Sequence, residues 1–429
     1  MHGVFAIPVF ILLLWALSEN RRKMDWRLIV VGIGLQFLLG YTLLKTIPGR
    51  WAMGLLNDLF ASLSAHANVG ARTFFGNLVD MAVPVTSAGE FPSGPTALVA
   101  HTGAIVAFSS MPVIVFAFSL TAVLYHLGVL SFAVRIVGRF MQRTMRLTGA
   151  ESLCMAGNVF LGPIQAPALV RPYLATMTRA QLMTVLTGGL ATVDAGAIAL
   201  YAFQIREVLP DAAGHLMVAS AMSAPAAFVC ARILVPETED ITTASQAHVV
   251  TDRIDANVVD AASRGAVEGI HLVIAIVAIV IAFQGSISLI NAILGWGSGA
   301  LLADGAKPLS LQSILGFVMW PVAWIMGATP QESGVIGNLI GLKTITSEFI
   351  AFLDLSREPV YTTLSPHGRI IAVYALAGFT NLGTIGIMLG GIGGLIPERR
   401  GEIAKLSLKA LLAASVACFM TAAIAGLIV

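Results

Sequence analysis

Long apolar runs, separated by short polar or basic segments, dominate this chain of 429 residues. A helix that crosses a membrane needs about 20 mainly apolar residues. The pattern predicts eight such spans, at 4–17, 28–44, 111–130, 181–203, 212–234, 268–294, 370–395 and 404–428.

One apolar region is interrupted near its middle. Its two arms, 151–161 and 167–176, are each too short to span and meet at the sequence GPIQAP. Pro163 and Pro167 remove backbone donors and end a helix there. The region therefore predicts a re-entrant hairpin, followed by a new helix that begins at a capping box formed by Thr178 and Gln181.

A second interrupted region covers 310–356. It contains a proline break at 330–332 and the polar pair Ser347 and Glu348 within apolar sequence. We expect a second hairpin there, entering from the opposite side. The order hairpin, span, span then occurs twice, which is typical of inverted-repeat transporters with a site between the repeats.

Polar segments set the expected orientation. The basic cluster at 21–27 indicates a cytoplasmic loop, which places both termini outside. Residues 51–78 predict an interfacial amphipathic helix, and the arginines within 135–146 predict a basic helix on the cytoplasmic surface. The Pro-, Gly- and Ser-rich stretch 80–103 predicts a loop, and 236–264 a polar cytoplasmic segment.

Composition agrees with a membrane protein, since 57% of the residues are apolar and 11% are charged, against about 25% charged in soluble domains. A net charge of +2 gives no indication of nucleic-acid binding. The three cysteines have no metal-binding spacing, and no nucleophile–base set favours an intramembrane enzyme. His126 and His271 are expected to be hydrogen-bonded core residues.

Ordered motifs along nearly the whole chain carry a family resemblance. They include GNVFLG with QAPALVRPYL, MTRAQLMTVLTGGLATV, GLKTITSEFIAFLDL and YALAGFTNLGTIGIMLGGIGGLIPERR. The chain resembles the concentrative nucleoside transporters. The resemblance implies an all-α polytopic membrane protein with eight transmembrane helices and two hairpins in inverted repeats. It also implies a homotrimer in the bacterial inner (plasma) membrane, an elevator-type motion, and coupling to sodium or protons with no other cofactor.

The resemblance further implies a division into scaffold and transport parts. Residues 1–149 would hold scaffold helices with the interfacial helix, and 235–309 the cytoplasmic loop with a scaffold span. Residues 150–234 and 310–429 would be the two repeats of the transport domain.

The family's hairpin-one motif reads GQTEAP, and its Gln, Thr and Glu face the nucleobase. The corresponding residues here are Pro163, Ile164 and Gln165, so all three differ. A pocket that loses hydrogen-bonding groups discriminates less between ligands, so we expect an altered base preference. The other predicted substrate-binding residues are Ala197, Glu348, Phe379, Asn381 and Thr384.

The family's sodium ligands correspond to Asn158, Leu161, Thr192 and Val193. Asp194 stands where the family usually has a small apolar residue. A carboxylate at bilayer depth indicates function by default, so Asp194 is predicted either to join the cation site or to couple transport to protons. A structural Asp is the other interpretation.

Three functions remain open from the sequence. The preferred function is a secondary symporter for nucleosides, and the second is a symporter for another ribose-like solute. The third is a nontransporting solute sensor.

Overall fold

The computed structural model describes residues 2–79, 82–85, 98–101, 108, 111–239, 255–299 and 309–429. In the first part of the chain the elements are a 3-10 helix His2–Phe5, α1 Ala6–Ala16, α2 Trp26–Lys45, α3 Ile47–Phe75, a 3-10 helix Gly76–Val79, β1 Ala82–Val85, β2 Leu98–His101, α4 Met111–His126 and α5 Val129–Met145.

The two short strands lie in a region predicted as loop. They pair antiparallel, with Ala82 opposite His101. The expectation of a plain loop is thus wrong for these strands, and the remainder of 80–103 lies outside the described residues.

Side-chain caps begin the helices α2 and α3. Asp25 accepts a hydrogen bond from the Leu28 amide, and Thr46 accepts one from the Gly49 amide.

The first repeat contains α6 Gly149–Asn158, α7 Gln165–Ala168, α8 Arg171–Leu174, α9 Arg179–Ala191, α10 Ala195–Gln204 and α11 Ala212–Leu234. Residues 149–174 form a hairpin, here called hairpin 1. The predicted capping box of Thr178 and Gln181 is confirmed.

The rest of the chain contains α12 Val258–Gly299, α13 Leu311–Ile325, α14 Pro330–Ile345, α15 Glu348–Leu355, α16 Glu358–Tyr361, α17 Pro366–Leu376, α18 Leu382–Leu395, a 3-10 helix Pro397–Arg399 and α19 Arg400–Ile428. Residues 330–355 form hairpin 2. It is narrower than the predicted 310–356, because α13 is a separate helix at 119° to α14. Gly327, with φ +112°, supports that bend.

Two predicted continuous spans are broken. The span at 181–203 is interrupted at Thr192–Asp194, and that at 370–395 at residues 377–381. Asp194 and Asn381 each cap the helix that follows, and such side chains compete with a continuing helix. The apolar pattern runs through both breaks and so does not show them.

Most of the eight predicted spans coincide with helices that are long and apolar enough to cross a membrane. Among the described residues five helical segments qualify, namely Trp26–Lys45, Arg179–Gln204, Ala212–Leu234, Val258–Ser298 and Pro397–Ile428. Met111–His126 with Val129–Met145 forms a bent pair at 76°, and Gly3–Ala16 and Leu382–Leu395 are shorter apolar helices. The all-α polytopic fold is confirmed, with the small β-hairpin as an addition. Helix α12 begins ten residues before its predicted start at 268.

The two breaks lie against each other in the core. The Cys418 thiol of α19 donates to the Ala191 carbonyl at 3.6 Å and to the Ala377 carbonyl at 3.4 Å. Gly378 is required there, since a Cβ atom on it would lie 2.6 Å from Cys418 Sγ and 3.0 Å from the Ala191 oxygen. The Cys418 thiol and the small Gly378 thus allow the last residues of α9 and α17 to lie side by side at the centre of the bundle.

Candidate substrate and cation site

A cavity of about 490 Å³ lies between the tips of the two hairpins and the starts of α10 and α18. All eight predicted substrate-binding residues line it, namely Pro163, Ile164, Gln165, Ala197, Glu348, Phe379, Asn381 and Thr384. Phe118 of α4 and Glu268 and His271 of α12 line it from the other side. The structure thus brings the predicted set together; the role of each residue stays a prediction.

Glu348 is the centre of a hydrogen-bond network on the hairpin 2 side. It is 5% exposed, and the Tyr201 hydroxyl donates to its Oε1 at 2.7 Å. The Asn381 amide donates to its Oε2, also at 2.7 Å. Asn381 is itself fixed, because its Oδ1 accepts from the Thr384 amide at 2.7 Å. A buried, oriented carboxylate of this kind can accept hydrogen bonds from hydroxyl groups of a solute.

The hairpin 1 side combines an apolar wall with two polar side chains. Pro163 and Ile164 supply the wall, and Gln165 and Asp194 the polar atoms. Both polar side chains converge on Gly162, since a Cβ atom there would lie 2.4 Å from Gln165 Oε1 and 3.2 Å from Asp194 Oδ2. Asp194 Oδ1 accepts from the Ala197 amide at 2.8 Å, so this carboxylate also caps α10.

The predicted cation ligands lie where hairpin 1 meets the first break. Asn158 is fully buried, and its amide donates to Cys154 Sγ at 3.9 Å. Its Oδ1 has no hydrogen-bond partner among the described residues. A Cβ atom on Gly188 would lie 3.0 Å from Asn158 Nδ2, and the Gly188 carbonyl accepts from the Thr192 hydroxyl at 2.9 Å. Asn158 and Thr192 therefore approach the same turn of α9.

Backbone contacts hold this region in place. The Ala195 amide donates to the Phe160 carbonyl at 3.4 Å, which joins the tip of hairpin 1 to the break. Ser220 of α11 donates to the Val193 carbonyl at 3.1 Å, and the Val193 amide donates to Ser220 at 3.2 Å. Carbonyl and carboxamide oxygens that a broken helix leaves outside its own helical hydrogen bonds are suited to a small cation.

A second cavity of about 470 Å³ continues from the first beneath hairpin 1. Gln165, Asp194 and Glu268 line both cavities, and Arg171 lies farther along the second. Gln165 of hairpin 1 and Asp194 at the start of α10 thus lie at the junction of the two cavities.

Sequence reasoning missed several residues of the site. Tyr201 and Phe118 looked like ordinary apolar positions, and only the fold brings them to the cavity. His271 was expected in the core, but it is exposed and lines the cavity. Lys343, which lines neither of the two cavities, was also missed; it is buried in hairpin 2, and its ammonium donates to the Ala375 carbonyl at 2.9 Å. Its position within an apolar arm was the available signal.

Two half-length hairpins, two interrupted helices and a central cavity that receives polar side chains from both repeats define a multi-pass membrane transporter. Family models match most of the chain. Residues 5–78 match the Na⁺ dependent nucleoside transporter N-terminus, 107–207 a nucleoside recognition domain termed Gate, and 215–426 the Na⁺ dependent nucleoside transporter C-terminus.

Full-length relatives agree with these matches. An uncharacterized transporter of Haemophilus influenzae is 33% identical over 100% of this chain and 98% of that protein. The uncharacterized transporter YutK of Bacillus subtilis is 33% identical over 100% and 99%. Solute carrier family 28 member 3 of Mus musculus is 34% identical over 98% of this chain, which spans 58% of that longer protein. The chain belongs to the Na⁺ dependent nucleoside transporter family.

Solved structures are similar over the entire chain. The structure of CNTnw in an inward-facing, substrate-bound state has a TM-score of 0.87 and 35% identity, covering 100% of this chain and 98% of that one. A CNTnw variant in an outward-facing state gives a TM-score of 0.87 and 34% identity, covering 100% and 97%.

Proposed function

We propose that this protein is a cation-coupled symporter that moves nucleosides across the bacterial inner (plasma) membrane. The observation that carries the proposal is the Glu348 network, in which Tyr201 and Asn381 orient a buried carboxylate toward a cavity between two inverted hairpins. Glu348 and Asn381 would bind the ribose hydroxyls. The base would lie against Pro163 and Ile164.

The apolar wall formed by Pro163 and Ile164 favours a second candidate. Because this wall lacks hydrogen-bonding side chains, Pro163 and Ile164 add no side-chain hydrogen bond that would tell one base from another. Another ribose-bearing solute is therefore the alternative substrate class.

Sodium is the coupling cation that we propose for Asn158 Oδ1, the Leu161 and Val193 carbonyls and the Thr192 hydroxyl. Asn158 Oδ1, which is fully buried and has no hydrogen-bond partner in the part of the chain that the structure describes, supports an oxygen-ligated cation there. A cation so placed would offset the partial negative charge of these buried carbonyls and hold hairpin 1 against the break at Thr192–Asp194. A coupling role for Asp194, either at this site or as a proton carrier, stays a prediction from the sequence.

Alternating access would follow an elevator-type motion of the two repeats against the scaffold helices. The cavity beneath hairpin 1 would give the solute a route past Arg171 toward the predicted cytoplasmic side. The homotrimer is proposed on family grounds. Apolar side chains along α12 are exposed, among them Ile274, Ile281 and Leu289, which fits contact with lipid or with another protomer.

Uptake into proteoliposomes tests the proposal. Radiolabelled uridine and adenosine would be supplied with an imposed sodium gradient and then with a proton gradient. We expect accumulation under the sodium gradient and its loss in Glu348→Gln. Accumulation under neither gradient, in protein that elutes as a folded oligomer, would refute the nucleoside assignment and direct the search to other ribose-like solutes.

A further inference from the structure

The two repeats place corresponding residues around the cavity. Gln165 is the first residue of α7 and Glu348 the first residue of α15, the second arms of the two hairpins. Asp194 and Asn381 are the caps of the two half-helices α10 and α18. Thr178 is the N-cap of α9 and Ser365 is the N-cap of α17. The number of residues from Thr178 to Asp194 equals that from Ser365 to Asn381, so the helix before each half-helix corresponds as well.

Acid and amide are exchanged between the repeats. In repeat 2 the carboxylate is on the hairpin and the carboxamide is on the half-helix, and the two are hydrogen-bonded at 2.7 Å. In repeat 1 the carboxamide, Gln165, is on the hairpin and the carboxylate, Asp194, is on the half-helix. Each repeat therefore brings one acid and one amide to the cavity wall.

We propose that Asp194 and Gln165 act as a second acid–amide pair that contacts the base of the solute and selects bases with an exocyclic amino group. This inference rests on the proposed function and names its preferred substrates. Asp194 would supply from the half-helix the acidic group that hairpin 1 lacks.

The location of Asp194 favours contact with the solute. It lines both cavities, whereas neither Asn158 nor Thr192 lines either of them. Asp194 Oδ1 caps α10, and Oδ2 lies beside Gly162 at the cavity wall with Gln165 Oε1. Gln165 Oε1 and Asp194 Oδ2, which both lie near Gly162, are both hydrogen-bond acceptors.

Acceptor atoms favour amino bases over oxo bases. An exocyclic amino group offers two N–H donors, a carboxylate accepts from it, and a glutamine amide can pair with the amino edge of adenine in both directions. The oxo group of hypoxanthine or uracil would instead bring a second acceptor toward the carboxylate. Adenosine should therefore be preferred to inosine, and cytidine to uridine.

Uptake of these four nucleosides would be measured for the wild type, Asp194→Asn, Gln165→Glu and the double variant that exchanges the two groups. Asn is also a favourable helix cap, so Asp194→Asn keeps the start of α10 while removing the acid. We expect the wild type to prefer the amino member of each pair by about tenfold in Vmax/KM. Asp194→Asn should reduce that preference to about twofold or less, and the double variant should restore it.

Cation dependence, measured as the half-saturating sodium concentration, separates this role from coupling. Unchanged sodium dependence in Asp194→Asn, with altered base preference, supports the proposal. Altered sodium or proton dependence with unchanged base preference would overturn it, and so would equal wild-type uptake within both pairs. If the wild type accumulated none of the four, the proposed function would fail with it. Asp194→Ser, which also caps a helix, repeats the test should the asparagine variant fold poorly.

Discussion

The Tyr201 hydroxyl donates a 2.7 Å hydrogen bond to Glu348 Oε1 and so joins a half-helix of repeat 1 to hairpin 2 of repeat 2. The Tyr201 ring also packs at 4.9 Å from Phe352, the residue one turn along from Glu348. The carboxylate is therefore oriented from both repeats, by Tyr201 on one oxygen and Asn381 on the other. Under the role proposed for Glu348, solute binding would depend on how the two repeats are placed relative to each other.

Tyr201→Phe should weaken nucleoside binding while the fold is kept. The substitution removes a donor to a buried carboxylate but leaves the ring against Phe352. Hydrogen bonds to charged groups are worth about 1.5–3 kcal/mol, so we expect KM to rise about tenfold with Vmax little changed. Concentration-dependent uptake measures this effect. An unchanged KM would mean that Asn381 alone orients Glu348.

Gly378→Ala should destabilise the protein. Its new methyl group would lie 2.6 Å from Cys418 Sγ and 3.0 Å from the Ala191 carbonyl oxygen, and the second of these is backbone. Overpacking of this kind costs about 1–3 kcal/mol, and thermal unfolding in detergent should show a lower midpoint. Gly386→Ala is the matched control, because none of the described atoms outside its own stretch of helix lies within 4 Å of its added Cβ. Equal midpoints would contradict the close contact of the two breaks.

How much the sequence predicts depends on how local the signal is. Two prolines predict hairpin 1, and a Thr–Gln capping box predicts the start of the helix that follows it. Both signals act over a few residues, and the capping box is confirmed. The breaks at Asp194 and Asn381 were missed because apolar residues continue on both sides of each. A capping residue inside an apolar run was the signal available.

Long-range contacts lay beyond sequence reasoning for a different reason. Tyr201 and Glu348 are distant in the chain, and nothing near either residue specifies the other. The family resemblance assigns Glu348 to the substrate site because Glu348 lies in a short sequence motif. The resemblance assigns no role to Tyr201. Phe118 and Glu268 reach the cavity only because α4 and α12 pack beside each other.

Glu19 should stabilise the protein in a pH-dependent way. Arg179 lies 2.8 Å and Lys409 2.6 Å from its carboxylate, and hydrogen bonding to Arg179 is the main cause that lowers the pKa of Glu19 to about 2. Because this pKa is below the unfolded value of about 4.3, the stabilisation is present above that value and is lost as the pH falls toward 2.

Glu19→Gln should therefore lower the unfolding midpoint at pH 7, and its difference from the wild type should shrink as the pH falls from about 5 to 3. The pair is partly exposed, so the effect should be at most about 1 kcal/mol. Thermal unfolding at several pH values measures it, with Glu398→Gln as an exposed control. A difference that is constant with pH would show that the ion pairs contribute nothing.

Asn158→Ala should weaken cation coupling more than nucleoside recognition. The substitution removes the buried Oδ1 that has no partner among the described residues, and we expect the half-saturating sodium concentration to rise by about tenfold or more. The KM for nucleoside at saturating sodium should change less. Uptake measured against sodium concentration at fixed nucleoside, and then the reverse, separates the two constants.

Cys154→Ala is the matched control for that experiment. It removes the 3.9 Å contact with the Asn158 amide but leaves Oδ1 in place, so sodium dependence should stay close to that of the wild type. If Cys154→Ala impaired sodium dependence as much as Asn158→Ala, packing within hairpin 1 would be the cause. If neither variant changed it, the coupling cation would have to bind elsewhere, and Asp194 would be the next residue to test.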